Sequence, residues 1–299
     1  MSEMPATESL IDRFVRLLTV ERLEEDYFRG IAAPGARGHL FGGQIIGQGL
    51  MAAAQTVAPE RVAHSLHAYF IRAGVAEKPI LYNISRDRDG GSFSTRRVVA
   101  IQEGKPILTM SASFQIREKG LSYTAEMPDV PGPEEFKNEI ELNEFYADKL
   151  PVRLRTYLAE NRPVELRPTI VRAPYVHKPM EPQFAVWIRA KGPMPDDPQL
   201  HRSGIAFASD MQFMGTALMP HGRGFADPDM RCASLDHSVW LHEDARLDDW
   251  LLYVSDSNWS GASRGLSHGK VFTRDGKLVA QTAQEGLMRQ IGSKDGKSR

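Results

Sequence analysis

The sequence predicts an α+β protein in which one structural unit occurs twice. Each half has a segment of helical character followed by strand-like segments that turn residues separate. Four short blocks of the first half recur in the second half in the same order, which indicates a duplication. A helix followed by antiparallel strands is typical of α+β folds.

The length and composition of the chain permit two such units. The chain has 299 residues, of which 41% are hydrophobic and 25% are charged, as in an ordinary globular protein. The formal net charge is -1 and the basic residues are spread along the chain, so we expect neither a nucleic acid nor a membrane as a partner. No apolar run is long enough to cross a bilayer.

The cysteine content and the first residues bear on the compartment. The single cysteine, Cys232, excludes an intrachain disulfide and a zinc site made of several cysteines, and we interpret it as a small buried hydrophobic residue. The first 30 residues contain seven acidic side chains and no apolar signal block. The sequence therefore predicts a cytoplasmic protein.

Two helical segments open the first half. The stretch "ESLIDRFVRLLTV" has apolar residues at helical spacing and predicts an amphipathic helix laid on a larger body. The following stretch, "LFGGQIIGQGLMAAAQTV", contains four glycines and an alanine run. Because glycine costs about 1 kcal/mol in a helix interior, we expect another backbone to pack very close to this helix. A helix wrapped tightly by a sheet meets that requirement.

The rest of the chain supplies strands, a connection and a second copy. Four predicted strands follow the helix, in "HSLHAYFIRA", "PILYNISRDRD", "SFSTRRVVAIQ" and "KPILTMSASFQIR". A Pro- and acid-rich stretch, with short helical patterns in "LNEFYADKL" and "RLRTYLAE", then reads as an interdomain connection. We divide the chain into an N-terminal repeat (1–118), a linker (119–165), a C-terminal repeat (166–291) and a disordered tail (292–299).

The duplication is visible in four pairs of blocks whose separation rises slowly from 166 to 172 residues. They are "FGGQIIGQGL" with "FASDMQFMGTAL", "HSLHAYF" with "ASLDHSVW", "PILYNIS" with "WLLYVSD", and "EGKPILTMSASFQIR" with "DGKLVAQTAQEGLMR". In this alignment Gln44 stands opposite Asp210, Ala112 opposite Gln284 and Ser65 opposite Ser234. Since the fold forms once without Asp210 and Gln284, these two residues are candidates for chemistry.

Asp210 is the least expected of these side chains. Helical steps of three and four from Asp210 reach only apolar residues: Phe213, Met214, Ala217 and Leu218. A buried carboxylate costs several kcal/mol unless something compensates it. We predict a helix that begins here, with Ser209 as its N-cap, so that the positive helix end keeps the carboxylate ionised and ready to accept a proton.

Gln284 and Ser234 lie on predicted strands. Alternation places Gln284 on a mostly apolar face with Leu278, Ala280, Thr282 and Met288. Taken alone, Gln284 is better interpreted as a buried residue that bridges two strands, and Ser234 as an ordinary strand serine. Alternation groups Ser234 with Asp236 and Ser238, and it places His237 on the opposite face. Asp236 and His237 therefore cannot readily form a catalytic triad.

Other motifs do not indicate a metal or a nucleotide. The "GLSHG" stretch matches a nucleophile elbow, but a strand follows it where that motif needs a helix. The histidines His64, His67, His237 and His242 lack the third ligand typical of zinc sites. The "GGQIIGQG" stretch has no lysine at the P-loop position. We therefore expect no metal and no bound cofactor.

Several long motifs together resemble the acyl-CoA thioesterase II family. They are "HLFGGQIIGQGLMAA", "HSLHAYFIRAG", "DGGSFSTRRVVAIQEGKPI", "SDMQF" followed by "PHG", "SLDHSVWLH" and "QEGLMR". The likeness extends from about residue 8 to residue 290.

The resemblance implies a tandem double hotdog fold, in which each repeat is a long helix wrapped by an antiparallel sheet. It also implies hydrolysis of acyl-CoA thioesters, without a metal, by an Asp, a Ser or Thr, and a Gln. The matching residues are Asp210, Ser234 and Gln284, and the hydroxyl position is often Thr in the family. Because hotdog sheets expose edges, we expect a homodimer or homotetramer.

We expect Asp210 to activate a water molecule, Ser234 and Gln284 to hold that water or the carboxylate, and a helix-terminal N–H to stabilise the oxyanion. Attack by Ser234 itself would need a stronger base than a hydrogen-bonded Asp. Two other functions remain open. A hotdog hydratase or dehydratase usually pairs a His with its acid, and an acyl-CoA binding protein would keep the pocket without the chemistry.

Overall fold

The computed structural model of the protein describes residues 8–32, 38–150, 162–211 and 213–292. Its helices are α1 (Leu10–Leu18), α2 (Gly42–Ala54), α3 (Glu139–Phe145), α4 (Pro198–Ser209) and α5 (Gly215–Leu218). The strands before α3 are β1 (Glu21–Glu24), β2 (Tyr27–Gly30), β3 (Arg61–Phe70), β4 (Ile80–Asp89), β5 (Phe93–Gln102) and β6 (Lys105–Ile116). The later strands are β7 (Val164–Pro168), β8 (Gln183–Ala190), β9 (Met230–Ser234), β10 (Asp236–Leu241), β11 (Leu251–Gly261), β12 (Arg264–Thr273) and β13 (Leu278–Gln290).

All of these strands belong to one antiparallel sheet. Its order is β1-β2-β4-β5-β6-β3-β10-β13-β12-β11-β8-β7, and β9 pairs with the end of β13. The second half of this order repeats the first half in reverse, and the two halves join where β3 pairs with β10. The strand order therefore confirms the predicted duplication of an α+β unit.

The central helices α2 and α4 pack against each other with almost no side-chain bulk between them. A Cβ atom added to Gly43 would lie 2.3 Å from the carbonyl oxygen of Phe207, and one added to Gly47 would lie 3.0 Å from that of Ser203. Gly49 faces the sheet instead, where the nearest atom would be the flexible Met110 methyl at 3.2 Å. The predicted close approach of a backbone is confirmed, and that backbone is α4.

Helix α1 is the amphipathic helix that the sequence predicts. Ser9 caps its N-terminus in a capping box with Asp12, which satisfies two of the free backbone N–H groups. Its buried side chains include Phe14, whose ring meets that of Phe207 on α4 at 5.0 Å in an edge-to-face contact. Helix α1 thus covers the pair of central helices.

The helix of the C-terminal repeat lies earlier in the chain than predicted. Asp197 is its N-cap, with Oδ1 accepting from the Gln199 N–H at 2.9 Å, and Pro198 occupies the first turn. The helix ends at Ser209, and Asp210 is its C-cap. The prediction of a helix beginning at Ser209 is wrong, because the chain turns after Asp210 and resumes helical structure only in α5.

The linker covers part of the outer face of the C-terminal half. The predicted helical pattern in "LNEFYADKL" is confirmed as α3 and a short 3₁₀ turn, whereas "RLRTYLAE" and residues 293–299 of the predicted tail lie outside the described residues. The Trp187 indole N–H donates to the Pro131 carbonyl at 2.9 Å. Trp187, Leu252 and Phe272 form a small apolar cluster under this segment.

Within the described residues, no helix has both the length and the apolar character that a membrane span requires.

The helix contact predicts opposite effects for two glycine substitutions in α2. We expect Gly43→Ala to lower the free energy of unfolding by about 1–3 kcal/mol, since the added methyl group would overlap the Phe207 carbonyl. Gly49→Ala is the matched control, because it gains the same helix propensity of about 1 kcal/mol and meets only a flexible methyl group. Urea unfolding of both variants measures the difference, and equal stability would contradict the close packing.

Candidate active site

The structure brings the three predicted residues together. The Gln284 side-chain nitrogen donates to Asp210 Oδ1 at 2.6 Å and to Ser234 Oγ at 3.0 Å. Asp210 comes from the end of α4, Ser234 from the end of β9 and Gln284 from the middle of β13. One amide group therefore holds both a carboxylate and a hydroxyl, because its two hydrogens point to different acceptors.

Gln284 lies where strand alternation predicts it. Ala280, Thr282 and Gln284 are buried on one face of β13, and Gln284 is only 2% exposed. Leu278 departs from the predicted pattern, since a register shift beside Phe272 turns it toward the Trp187 cluster. The side-chain oxygen of Gln284 is buried and has no hydrogen-bond partner among the described residues.

Ser234 reaches this site through an irregularity that alternation does not predict. Ser234 pairs with Gly286, whereas Ser238 pairs with Ala283, so Leu235 interrupts the ladder between β9 and β10. The predicted common face of Ser234 and Ser238 is therefore wrong. Ser238 instead bonds the His67 ring on the exposed side of the sheet, at 3.1 Å.

Asp236 and His237 do not form a catalytic triad, and this agrees with the prediction from the sequence. Asp236 Oδ1 accepts from the Glu285 N–H at 2.7 Å, whereas the His237 ring bonds Ser209 Oγ at 2.8 Å.

The carboxyl group of Asp210 is easier to protonate than an ordinary one. Burial raises its pKa from 3.8 to about 7, against the opposing effect of hydrogen bonds from Gln284 and from the Gly43 N–H. Asp210 lies at the C-terminal end of α4, where the helix dipole also disfavours negative charge. The predicted stabilisation by its own helix is therefore wrong.

The compensating helix end belongs to the other repeat. Gly43 lies in the first turn of α2, so the positive end of that helix faces the Asp210 carboxylate. A Cβ atom on Gly42 would lie 2.7 Å from Asp210 Oδ2 and 2.8 Å from the Phe70 ring. The N-cap residue of α2, Phe41, makes no side-chain cap. The N-terminal repeat thus contributes α2 and Phe70, which sequence reasoning missed although "FGGQ" marked the place.

At the equivalent strand positions, the N-terminal repeat lacks the hydroxyl and the amide of this site. Strand pairing joins Ala63 to Phe114 and Ser234 to Gly286, and these partners lie two residues beyond Ala112 and Gln284. The structural counterpart of Ser234 is therefore Ala63 and not Ser65, as the sequence alignment has it.

The other residues aligned with the site have structural roles. The alignment of Gln44 with Asp210 is wrong, because Gln44 lies in the first turn of α2 whereas Asp210 is the C-cap of α4; the C-cap of α2 is Gln55. The Gln44 side chain donates to the Ile31 carbonyl at 3.1 Å, and the carbonyl of Ala63 accepts from Arg202 at 2.7 Å. Ala112 is buried in the core. An acid, a hydroxyl and an amide therefore converge in the C-terminal repeat and not at its counterpart.

Other candidate groups do not assemble into a site. No cluster of His, Cys, Asp and Glu suited to a metal ion occurs within 8–32, 38–150, 162–211 and 213–292. The "GLSHG" stretch lies inside the continuous strand β12 and forms no elbow. Cys232 is partly buried, and burial raises the pKa of its thiol to about 11, so it is a poor nucleophile at neutral pH.

The position of Asp210 predicts that its carboxylate destabilises the fold above neutral pH. Below about pH 4 the group is protonated in both the folded and the unfolded chain, so its ionisation costs the fold nothing. Between about pH 4 and pH 7 the Asp210 carboxyl group ionises in the unfolded chain but stays largely protonated in the folded chain. The free energy of unfolding therefore falls as the pH rises through this range. We therefore expect Asp210→Asn to have a higher Tm than the wild type at pH 8, by a margin that shrinks toward pH 4. Asp129→Asn, at an exposed position, controls for net charge; a margin independent of pH would contradict the raised pKa.

Comparison with known proteins places this chain in a family. The chain matches the family models described as acyl-CoA thioesterase N-terminal domain, over residues 32–115, and acyl-CoA thioesterase, over residues 154–287. It is 41% identical to acyl-coenzyme A thioesterase 8 of Homo sapiens (91% of this chain, 88% of that protein). It is 36% identical to acyl-CoA thioesterase 2 of Haemophilus influenzae (94% and 98%). The crystal structure of an acyl-CoA thioesterase II, TesB2 from Mycobacterium marinum, superposes with a TM-score of 0.74 at 36% identity (94% and 98%). The double hotdog fold is confirmed, and the chain belongs to the acyl-CoA thioesterase II family.

Proposed function

We propose that Asp210, Ser234 and Gln284 are the catalytic residues with which this acyl-CoA thioesterase hydrolyses its substrate to a free acid and CoA. The observation that carries the proposal is the double hydrogen bond of the Gln284 amide, to Asp210 at 2.6 Å and to Ser234 at 3.0 Å. An acid, a hydroxyl and an amide held in this way suit the activation of one water molecule.

Asp210 acts as the general base in this mechanism. A pKa of about 7 leaves a substantial fraction ionised at neutral pH and also makes the group a stronger proton acceptor than an ordinary carboxylate. It removes a proton from water as the oxygen attacks the thioester carbonyl carbon. The tetrahedral intermediate collapses with breakage of the carbon–sulfur bond, and the proton held by Asp210 passes to the departing thiolate of CoA.

Ser234 and Gln284 position the reacting groups. Because Gln284 donates to Ser234 Oγ, the hydroxyl hydrogen of Ser234 remains able to point to the attacking water. The second donor hydrogen of Gln284 fixes Asp210 Oδ1, so the carboxylate cannot rotate freely. The unpartnered oxygen of Gln284 offers an additional acceptor inside the same buried region.

The start of α2 supplies the electrostatic component. Its first-turn N–H groups, near Gly42 and Gly43, adjoin the Asp210 carboxylate and are not capped by the Phe41 side chain. We propose that one of them donates to the thioester oxygen as negative charge develops there. The missing side chain of Gly42 lets Asp210 and Phe70 approach the start of α2 closely, since a Cβ atom there would clash with both.

The contacts of Ser234 favour the water route over a covalent one. A serine nucleophile needs a base within hydrogen-bond reach of its hydroxyl. Ser234 Oγ accepts from the Gln284 amide nitrogen, which is a donor and not a base. Rapid quench of the reaction followed by mass spectrometry checks this point, since an acyl group on Ser234 would replace the water mechanism.

A hydratase or dehydratase reaction is less well supported. Such a site pairs a His with its acid, whereas the contacts recorded for Asp210 are with Gln284 and Gly43, and His237 contacts Ser209 instead. Incubation with crotonyl-CoA separates the reactions, because hydrolysis releases a free thiol and hydration removes the enoyl absorbance. A protein that merely binds acyl-CoA has no need for a buried acid with a raised pKa.

The wider properties of the protein are also proposals. The mechanism needs no metal and no cofactor beyond the CoA part of the substrate. We propose a homodimer or homotetramer in the cytoplasm, with the catalytic residues in the C-terminal repeat (166–291) and the N-terminal repeat (1–118) supplying α2.

The general-base role predicts the pH dependence of the reaction. We expect kcat/KM to rise as the pH passes through about 7 and to level off above it, because Asp210 must be ionised to accept the proton. Asp210→Asn should lower kcat by about 10² to 10⁴ without unfolding the protein. Thiol release from acyl-CoA, measured from pH 5 to pH 9, tests both points. Near-normal turnover in the folded variant would end the assignment.

The hydroxyl role of Ser234 predicts a difference between two substitutions. Ser234→Thr keeps the hydroxyl, so we expect its kcat to stay within roughly 10-fold of the wild-type value. Ser234→Ala removes the hydroxyl, and we expect a loss of about 10² in kcat. Thiol-release kinetics on both proteins make the comparison. Equal activity of the Thr and Ala variants would remove Ser234 from the mechanism.

A further inference from the structure

A second set of buried polar contacts holds the residue that precedes Asp210. Ser209 is the last residue of α4, and its hydroxyl lies 2.8 Å from the His237 Nε2 atom and 2.9 Å from the Ala206 carbonyl oxygen. His237 lies on β10 and is 0% exposed. These contacts are not part of the mechanism described above, although Ser209 immediately precedes Asp210, the proposed general base.

The direction of the hydrogen bonds follows from their acceptors. A carbonyl oxygen only accepts, so the Ser209 hydroxyl donates to Ala206 and the His237 Nε2–H must donate to Ser209. The other ring nitrogen, Nδ1, is then a bare acceptor, and it is buried without a hydrogen-bond partner among the described residues. Burial also lowers the pKa of His237 to about 3, so the ring stays neutral at neutral pH.

The backbone of Ser209 is held as firmly as its side chain. The Tyr253 hydroxyl lies 3.0 Å from the Ser209 carbonyl oxygen and 2.8 Å from the Thr282 hydroxyl. Tyr253 donates to the carbonyl, which cannot donate itself, and Thr282 donates to Tyr253. Strands β10, β11 and β13 therefore all fix the end of α4.

The fold does not require a histidine at this position. Val239 pairs with Thr282 and Ala68 pairs with Met110, and these pairs are equivalent in the two repeats. Two residues before Val239 and Ala68 lie His237 and Leu66, so the N-terminal repeat has a buried leucine where the C-terminal repeat has His237. A buried polar atom without a partner, such as His237 Nδ1, destabilises the fold. The C-terminal repeat, which contains the proposed catalytic residues, thus has a buried histidine where the N-terminal repeat has a leucine.

We propose that His237 is a positioning residue for thioester hydrolysis: its Nε2–H fixes Ser209 and so sets the Asp210 carboxylate between Gln284 and the start of α2. The inference rests on the proposed role of Asp210 as the base. His237 does not relay protons, since it contacts Ser209 and not the carboxylate. Loss of its hydrogen bond lets the end of α4 shift, and a displacement of about 1 Å at a reacting group can cost 10² in rate.

The test uses His237→Leu, which copies the counterpart Leu66, and His237→Gln, whose side-chain amide can still donate to Ser209. Each is made in the wild-type protein and in Asp210→Asn. We expect His237→Leu to fold normally and to lower kcat by roughly 10- to 100-fold with KM nearly unchanged. His237→Gln should restore most of that loss. In Asp210→Asn, the leucine substitution should cause no further loss, because the group that it positions is already absent.

Ser209→Ala tests the same contact from the other side. It should lower kcat as His237→Leu does, and the double variant should be no worse than either single variant, since both remove one hydrogen bond. If His237→Leu fails to fold, Ser209→Ala carries the test alone.

Unchanged kcat in folded His237→Leu or in Ser209→Ala would overturn the proposal. An equal fractional loss in the Asp210→Asn background would also overturn it, because the effect would then not act through Asp210. Normal turnover by Asp210→Asn itself would instead overturn the proposed function. Circular dichroism and thermal unfolding on each protein establish that the compared variants are folded.

Discussion

The contact between α2 and α4 is the constraint on which the rest of the site depends. Gly43 and Gly47 leave no side chain between the two helices, so the start of α2 reaches the end of α4. That approach places a positive helix end, from one repeat, against the Asp210 carboxylate of the other repeat. Each repeat alone would present half of the site: a helix end without an anion, or an acid at the unfavourable end of its own helix. In the proposed mechanism, the site therefore needs both repeats.

The proposed role of Asp210 depends on a nearly even balance between effects that raise its pKa and effects that lower it. Burial and the end of α4 disfavour the charged form, whereas Gln284 and Gly43 favour it, and the outcome is a pKa of about 7. Stronger hydrogen-bond donors would lower the pKa of Asp210 and make it a weaker base. A less hydrated site would raise its pKa and keep the group protonated. The buried contacts of Ser209 belong to the same balance, because they determine how far the carboxylate lies from its donors. In the proposed mechanism, the burial that destabilises this carboxylate also makes it a base at neutral pH.

Local pattern predicted much of this fold, and long-range geometry decided the rest. Local sequence is enough to predict the duplicated blocks, the glycine-rich α2 and the inward face of Gln284, because periodicity and residue size can be read from neighbouring residues. The position of Ser234 depends on an interruption at Leu235, and pairing with β13 and β3 determines where that interruption falls. Helix α4 begins at an Asp-Pro pair and ends at Asp210, whereas the apolar spacing continues past the turn that follows; this spacing alone therefore predicts a helix in the wrong place. The sequence analysis does not identify β1, β2, β7 and β8. The first three have only four or five residues each, too few for alternation to show.

The central claim is that water, activated by Asp210, attacks the thioester directly. A single-turnover reaction in oxygen-18 water, with enzyme in excess over acyl-CoA, tests this claim most directly. The account predicts one labelled oxygen in the released acid and no label in the peptide that contains Asp210. Label in the Asp210 carboxylate, with unlabelled acid in the first turnover, would show that Asp210 attacks the substrate itself and would contradict the account.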